Sequence, residues 1–368
     1  MDPQRPSQAP SVKLIIEVAV ARQMINKPLQ SVADLPRVTL AQLPTPLIEA
    51  PRLSKVLGGP RIFFKRDDLT GVGLGGNKVR KLEFVIGRAQ AEQADTLLVC
   101  GGFQSNLARI AAAMGAQLGL SVELVLGGVP GESREPSGNL LLDHLYGARV
   151  RFVETNPRWE FGTAMEDVEK ELRSEGRKPY LVPLGASMPE GMASYIEASD
   201  EMLTQFKQQG VDPDYLYVAI GSGGTYCGLA LAEHNMALPY RVRGISVSRT
   251  TEYYKEKLPQ DMQVAASQLG LANVPEAGAL DIEERYVGGG YGEVTDGCNE
   301  AIALVARTEG ILLDPVYSGK CMHGLIEHIK QGRIRQSDTV VFLHTGGWPA
   351  LFSYESKKLG LETRAFLS

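Results

Sequence analysis

From residue 61 onward, short apolar runs alternate with stretches of helical period for almost the whole length of the chain. The runs at 61–65, 96–100, 122–126, 151–153, 180–183, 215–220, 242–247 and 339–343 are continuous in hydrophobicity. That is the pattern of strands covered on both faces. Between them the periodicity predicts helices at 78–90, 106–118, 137–146, 161–175, 189–209, 224–233, 252–269, 295–309, 320–331 and 349–359, with 252–269 reading as a surface helix. Strand and helix in strict alternation close through right-handed crossovers onto parallel sheets. The expected class is therefore α/β, with open parallel sheets and helices on both faces.

Such sheets hold ligands at the carboxyl ends of their strands. Four loops at those ends are unusual: Gly101-Gly102-Phe103-Gln104-Ser105-Asn106, Gly221-Ser222-Gly223-Gly224-Thr225, Asp314-Pro315-Val316-Tyr317-Ser318-Gly319 and His344-Thr345-Gly346-Gly347. All are expected on one rim. The loop from Gly221 to Thr225 is the clearest anion cradle, because a glycine turn exposes successive N–H groups and the following helix adds its dipole. It is neither a Walker loop nor the dinucleotide fingerprint. A tight turn that binds nothing is the alternative. Gln104, Ser105 and Asn106 suit a carboxylate or a phenolic oxygen, and Ser105 or Asn106 is equally a good helix cap. Tyr291 and Tyr317 stand in loops, where a phenol serves as acid, base or donor, or simply packs.

Gly75-Gly76-Asn77-Lys78-Val79-Arg80-Lys81 places Lys78 at a helix start. The positive end of a helix favours the neutral amine, which attacks aldehydes. Alone, this lysine reads better as a solvated one on an amphipathic helix. An amine, a monophosphate cradle and polar groups on one rim together describe a pyridoxal phosphate site better than a nucleotide site.

Composition limits the partners. The net charge of −5 and pI of about 5.7 give no electrostatic case for nucleic acid or an anionic membrane. Cys100, Cys227, Cys298 and Cys321 form no zinc spacing, and no metal site is expected. Residues 14–24 read as a short amphipathic helix within an N-terminal extension, not as a signal peptide. No segment reads as a membrane span, and a cytoplasmic protein is expected.

The motifs Lys65-Arg66-Asp67-Asp68, Gly75 to Phe84, Gln104-Ser105-Asn106, Gly221 to Thr225, Arg307 to Tyr317 and His344 to Gly347 resemble those of the D-cysteine desulfhydrase and 1-aminocyclopropane-1-carboxylate deaminase family. These are tryptophan-synthase-β-like, fold type II pyridoxal phosphate enzymes, and the likeness runs from about residue 44 to 354. It implies two domains, 41–87 with 196–368 as the larger and 88–195 as the smaller, after a partly disordered extension over 1–40. It also implies a homodimer. Lys78 would carry the cofactor as a Schiff base and move the α-proton of a small amino acid. Lys81, Gly221, Ser222, Gly223, Gly224 and Thr225 would bind phosphate, and Asn106 the ring hydroxyl. Ser105 with Gln104 would bind the substrate carboxylate or shuttle a proton, and Tyr291 and Tyr317 would be the paired tyrosines.

Ser318 and Thr345 stand where the deaminases carry Glu and Leu. A hydroxyl beside the pyridine nitrogen permits a neutral ring, which suffices when Cβ bears a good leaving group. The resemblance therefore implies β-elimination, best exemplified by D-cysteine giving pyruvate, sulfide and ammonia. Ring-opening deamination, elimination or replacement on a modified cysteine or sulfonate analogue, and a cofactor-binding protein without lyase activity are the alternatives. Leu107 replaces the desulfhydrases' histidine, and Met188 an asparagine, so the substrate side of the pocket departs from the pattern.

Overall fold

The computed structural model describes residues 32–128, 134–154, 160–236 and 238–360. The helix expected at 14–24 lies outside them. In chain order the elements are β1 (Leu47–Glu49), α1 (Pro51–Leu57), β2 (Arg61–Lys65), α2 (Asn77–Ala91), β3 (Thr96–Gly102), α3 (Asn106–Leu118), β4 (Ser121–Gly128), α4 (Gly138–Leu145), β5 (Arg149–Glu154), α5 (Gly162–Ser174), β6 (Pro179–Val182) and α6 (Pro189–Gln209). There follow β7 (Tyr215–Ile220), α7 (Gly224–Asn235), β8 (Arg241–Ser246), α8 (Thr251–Leu269), β9 (Asp281–Glu283), α9 (Asp296–Glu309), α10 (Ser318–Lys330) and β10 (Thr339–Leu343).

The strands form two sheets. One has the order β1-β2-β10-β7-β8-β9, and the other β5-β4-β3-β6. Every pairing is parallel except β1 with β2. The short strands β1 and β9 and the helix α1 escape the sequence pattern, since three or seven residues carry little periodicity. The region expected as a last helix at 349–359 is two 3₁₀ turns, Trp348–Ser353 and Ser356–Leu359. The helix read as a surface one, α8, buries Tyr254, Leu258 and Met262 along one face.

Each sheet is covered on both faces, and the period of two in a strand divides its residues between them. In β3, Leu97 and Val99 pack beneath α2 and α3. Their neighbours Leu98 and Cys100 pack against Phe161, Met165 and Leu172 of the α5 region. In the larger sheet Phe63, Val341 and Leu216 face α6, α7 and α8, while Ile62, Phe64, Val340 and Tyr217 face α9 and α10. This two-sided burial is why the strands read as unbroken apolar runs.

One buried polar network ties the sheet to α2 and α6. Arg80 of α2 donates to both carboxylate oxygens of Asp67, at 3.0 Å each, and to both of Glu201 on α6, at 3.0 and 2.8 Å. Tyr195 donates to Asp67 at 2.7 Å, and Thr45 does so at 2.8 Å. Lys65, at the end of β2, donates to the Thr45 carbonyl, to Gln205 and to Glu201. A buried ion pair stabilises little against a well-packed apolar substitute, yet stripping one partner strands the other charges. Arg80→Leu is therefore expected to lower stability by about 3–5 kcal/mol, read by denaturant unfolding. A loss below about 1 kcal/mol would show that the carboxylates are not held as buried anions.

Candidate active site

The carboxyl ends of both sheets open onto one cleft of about 1170 Å³. Lys78, Ser105, Asn106, Leu107, Met188, Gly221, Ser222, Gly223, Gly224, Thr225, Tyr291, Tyr317 and Thr345 all line it. The expected single rim is thus two rims facing one another: β3 supplies the loop with Ser105, while β7 and β10 supply those with Gly221 and Thr345.

The backbone before α2 can be built only from glycine at two points. Gly75 has φ +71, and a Cβ there would lie 2.0 Å from the Asp68 carbonyl oxygen. Gly76, with φ +124, is the N-cap. The turn puts Lys78 second in the helix, with Lys81 one turn further along the same face. Lys78 Nζ donates to the Gly185 carbonyl at 3.3 Å, and Lys81 Nζ donates to the same oxygen at 2.9 Å. Burial lowers the Lys78 amine to about 8. Burial first, and then the neighbouring Lys78 charge, push Lys81 well below the usual lysine range. Desolvation is thus the cause of the shift at Lys78, rather than the helix end that the sequence pointed to.

Across from these amines, Gly223 has φ +101 and caps α7. A Cβ on Gly224 would lie 2.6 Å from Lys81 Nζ and 2.8 Å from Ser187 Oγ, and one on Gly185 would lie 1.9 Å from Ser222 Oγ. Ser187 Oγ accepts from the Gly224 N–H at 3.1 Å and donates to Ser222 Oγ at 2.7 Å. Asn77 Nδ2 donates to Thr225 Oγ1 at 3.0 Å. The cradle therefore combines a helix N-terminus, hydroxyls and a buried amine, the donor set of a phosphate monoester site. A second amine, Lys78, stands beside it, with no carboxylate partner among the described residues. These residues fit pyridoxal phosphate. Ser187, Asn77 and Gly185 were missed as site residues by sequence reasoning; for Asn77 the signal was its place between the glycines and Lys78.

Ser105 caps α3, accepting from the Ala108 N–H at 3.2 Å, and is buried. Asn106 Oδ1 accepts from Asn139 Nδ2 at 3.0 Å and from Arg109 at 3.4 Å, which leaves its amide nitrogen to the cleft side, near Gly347. Gln104 does not reach the cleft. Its amide oxygen accepts from the Asn139 N–H at 2.8 Å, and its nitrogen donates to the Ser137 carbonyl at 3.0 Å. It anchors the start of α4, and that corrects its expected place at a substrate carboxylate. Tyr291 and Tyr317 join hydroxyl to hydroxyl. Burial, with Tyr291 beside it, pushes the Tyr317 phenol well above its usual range. Its ring lies against Gly221, where a Cβ would be 3.1 Å away.

Ser318 is also set back from the cleft. Its hydroxyl donates to Asp314 Oδ1 at 2.6 Å and accepts the Asp314 N–H at 2.8 Å. The Asp314 carboxylate further accepts the backbone N–H groups of Val316, Tyr317 and Ser318. Thr345 is the hydroxyl residue of the pair that lines the cleft.

Comparisons with known proteins identify the family. Residues 38–346 match the family model described as pyridoxal-phosphate dependent enzyme. The D-cysteine desulfhydrase of Salmonella typhi is 38% identical over 332 residues, covering 89% of this chain and 98% of its own. A Pyrococcus abyssi protein provisionally named 1-aminocyclopropane-1-carboxylate deaminase is 40% identical over 327 residues, covering 89% and 96%. The solved structure of an ACC deaminase homologue superposes with a TM-score of 0.82 at 37% identity, covering 90% of this chain and 98% of that one. O-ureido-L-serine synthase shares the fold alone, with a TM-score of 0.63 at 17% identity. With Lys78 desolvated beside a phosphate cradle and a family match spanning most of its length, the chain belongs to the pyridoxal-phosphate-dependent enzymes, and pyridoxal 5'-phosphate is its cofactor.

Proposed function

We propose that this enzyme is a lyase that eliminates a Cβ leaving group from a small amino acid, with D-cysteine as the simplest named substrate. The carrying observation is the Lys78 amine, half-buried in the lining of the cleft and lowered by desolvation to a pKa of about 8. When bound, pyridoxal phosphate supplies an electron sink for the negative charge that develops at Cα. Lys78 would hold it covalently through Nζ and take the α-proton, since an amine near neutrality is an effective base. Lys81 Nζ and the N–H groups from Gly221 to Thr225 would hold the phosphate. The arriving dianion would favour the charged form of Lys81, which burial disfavours.

Asn106 presents its amide nitrogen, and Ser105 a hydroxyl beside it at the helix start, as donors to the ring oxygen and the substrate carboxylate. The hydroxyl pair of Tyr291 and Tyr317 is suited to give a proton to the departing group, because the raised pKa keeps the Tyr317 phenol protonated. Thr345 offers a hydroxyl to the ring nitrogen, while the nearby Asp314 carboxylate is turned onto Ser318 and three backbone amides. No carboxylate is then offered to the ring, which favours substrates with a good leaving group over an unactivated ring. Ring-opening deamination is the second reading, and the Pyrococcus relative's name supports it. The same reading takes residues 88–195 as a smaller domain, the rest as the larger, and two copies as the working unit.

Purified holo-protein should release pyruvate from D-cysteine; 2-oxobutanoate from 1-aminocyclopropane-1-carboxylate, with no pyruvate from D-cysteine, would transfer the assignment. Lys78→Ala should lower turnover by on the order of 10³-fold or more, and pyruvate release at an undiminished rate would refute the assigned base. Cofactor loading has a pH signature. Lys78 is protonated below about 8 and neutral above it. The rate at which cofactor-free protein takes up pyridoxal phosphate should rise roughly tenfold per pH unit below that point and level off above it, followed by visible absorbance. A rate independent of pH between 6 and 9, on the order of these limits, would exclude Lys78 as the titrating nucleophile.

A further inference from the structure

The wall of the cleft beyond the donor residues differs in character from the cradle. Apart from Ser105, the buried residues that β3, α3, α5 and the start of α6 bring to it include Cys100, Leu107, Phe161, Met165 and Met188. These five are between 2% and 7% exposed. Leu107 adjoins Asn106 in α3, and Met188 adjoins Ser187 at the start of α6, so the apolar wall begins where the donors to cofactor and substrate end. The same lining carries Glu154, Glu160 and Glu166, and also Asp167 and Glu169, which are paired with Lys170 and Arg173. Across the mouth, Lys257 is paired with Asp261.

A bare thiol leaving as sulfide is small and polar, and it would find no hydrogen-bonding partner on Leu107, Met188, Phe161 or Met165. A sulfonate or carboxylate side chain would be desolvated there and would face the acidic outer wall, which is costly on both counts. A thioether with an apolar substituent needs no partner, and it removes apolar surface from water on binding.

We infer that the substrate class is S-substituted cysteines whose sulfur carries an uncharged alkyl or aryl group, with Leu107, Met188, Phe161 and Met165 as the residues that select it. This rests on the lyase reading above and narrows it. The Cβ–S bond breaks with its electron pair going to sulfur, the sulfur takes up a proton, and water completes the reaction: R–S–CH₂–CH(NH₃⁺)–COO⁻ plus water gives R–SH, pyruvate and ammonium.

The test uses the holo-protein with S-benzylcysteine, cysteine and cysteate, each as both enantiomers, with pyruvate measured by coupled reduction. The expected result is a kcat/KM for one enantiomer of S-benzylcysteine roughly tenfold or more above that for cysteine, a ratio within the range one added methylene gives in an apolar pocket. Cysteate should be the poorest of the three. Leu107→His and Met188→Asn should each bring the ratio of S-benzylcysteine to cysteine down, with melting temperature recorded to confirm folding. Cysteine or cysteate preferred by the unmodified protein overturns the inference and leaves the lyase reading standing. Absence of pyruvate from every cysteine derivative overturns both.

Discussion

Arg80 holds the site in place. Its guanidinium is shared between Asp67, just after β2, and Glu201, in the middle of α6, with Tyr195 and Thr45 completing the carboxylate shells. Arg80 sits between Lys78 and Lys81 in sequence, on the same helix turn. Fixing it therefore fixes the rotation of α2 about its axis, and with it the direction in which both amines point. Glu83, one turn further, accepts from the N–H groups of Leu40 and Ala41 and from Arg37, so the same helix also organises the chain that leads into the fold. Lys78 and Lys81 face one carbonyl, and the ion-pair network behind them holds the helix that carries both.

The chemistry that results depends on what is left unpaired. Lys65 is buried as well, but it is surrounded by Glu201, Gln205 and the Thr45 carbonyl. Among the described residues, Lys78 donates to the Gly185 carbonyl alone. Residue type is the same and the environment differs: one lysine is a structural cation, and the other is a desolvated amine near neutrality. On the proposed reading, the glycine cradle would complete a site for an anion that brings an aldehyde.

Much of this was legible in the sequence, for physical reasons that differ by element. The parallel sheets announced themselves because strands such as β3 are buried on both faces, which makes the apolar run continuous. The helices α3 and α6 and the strands β7 and β10 keep the bounds that their periodicity and their Gly or Pro punctuation give. Gly75 and Gly224 marked the loops because no Cβ fits there. What could not be read were contacts made across sequence distance. Gln104 looks like a substrate ligand in its motif, yet the start of α4, more than thirty residues on, consumes both ends of its amide. Ser318 looks like a ring partner, yet Asp314 takes its hydroxyl. Asp67 and Arg80 stood in quoted motifs, but nothing local says that they meet.

The account turns on which of two adjacent amines carries the cofactor. Reduction of the holo-protein with borohydride locks pyridoxyl phosphate onto the amine that holds it, and peptide mapping by mass spectrometry then locates it. The prediction is a single modified residue, Lys78, with Lys81 unmodified. Label on Lys81, or on any lysine outside the cleft, would contradict the assignment of the desolvated amine as the chemical centre of this fold.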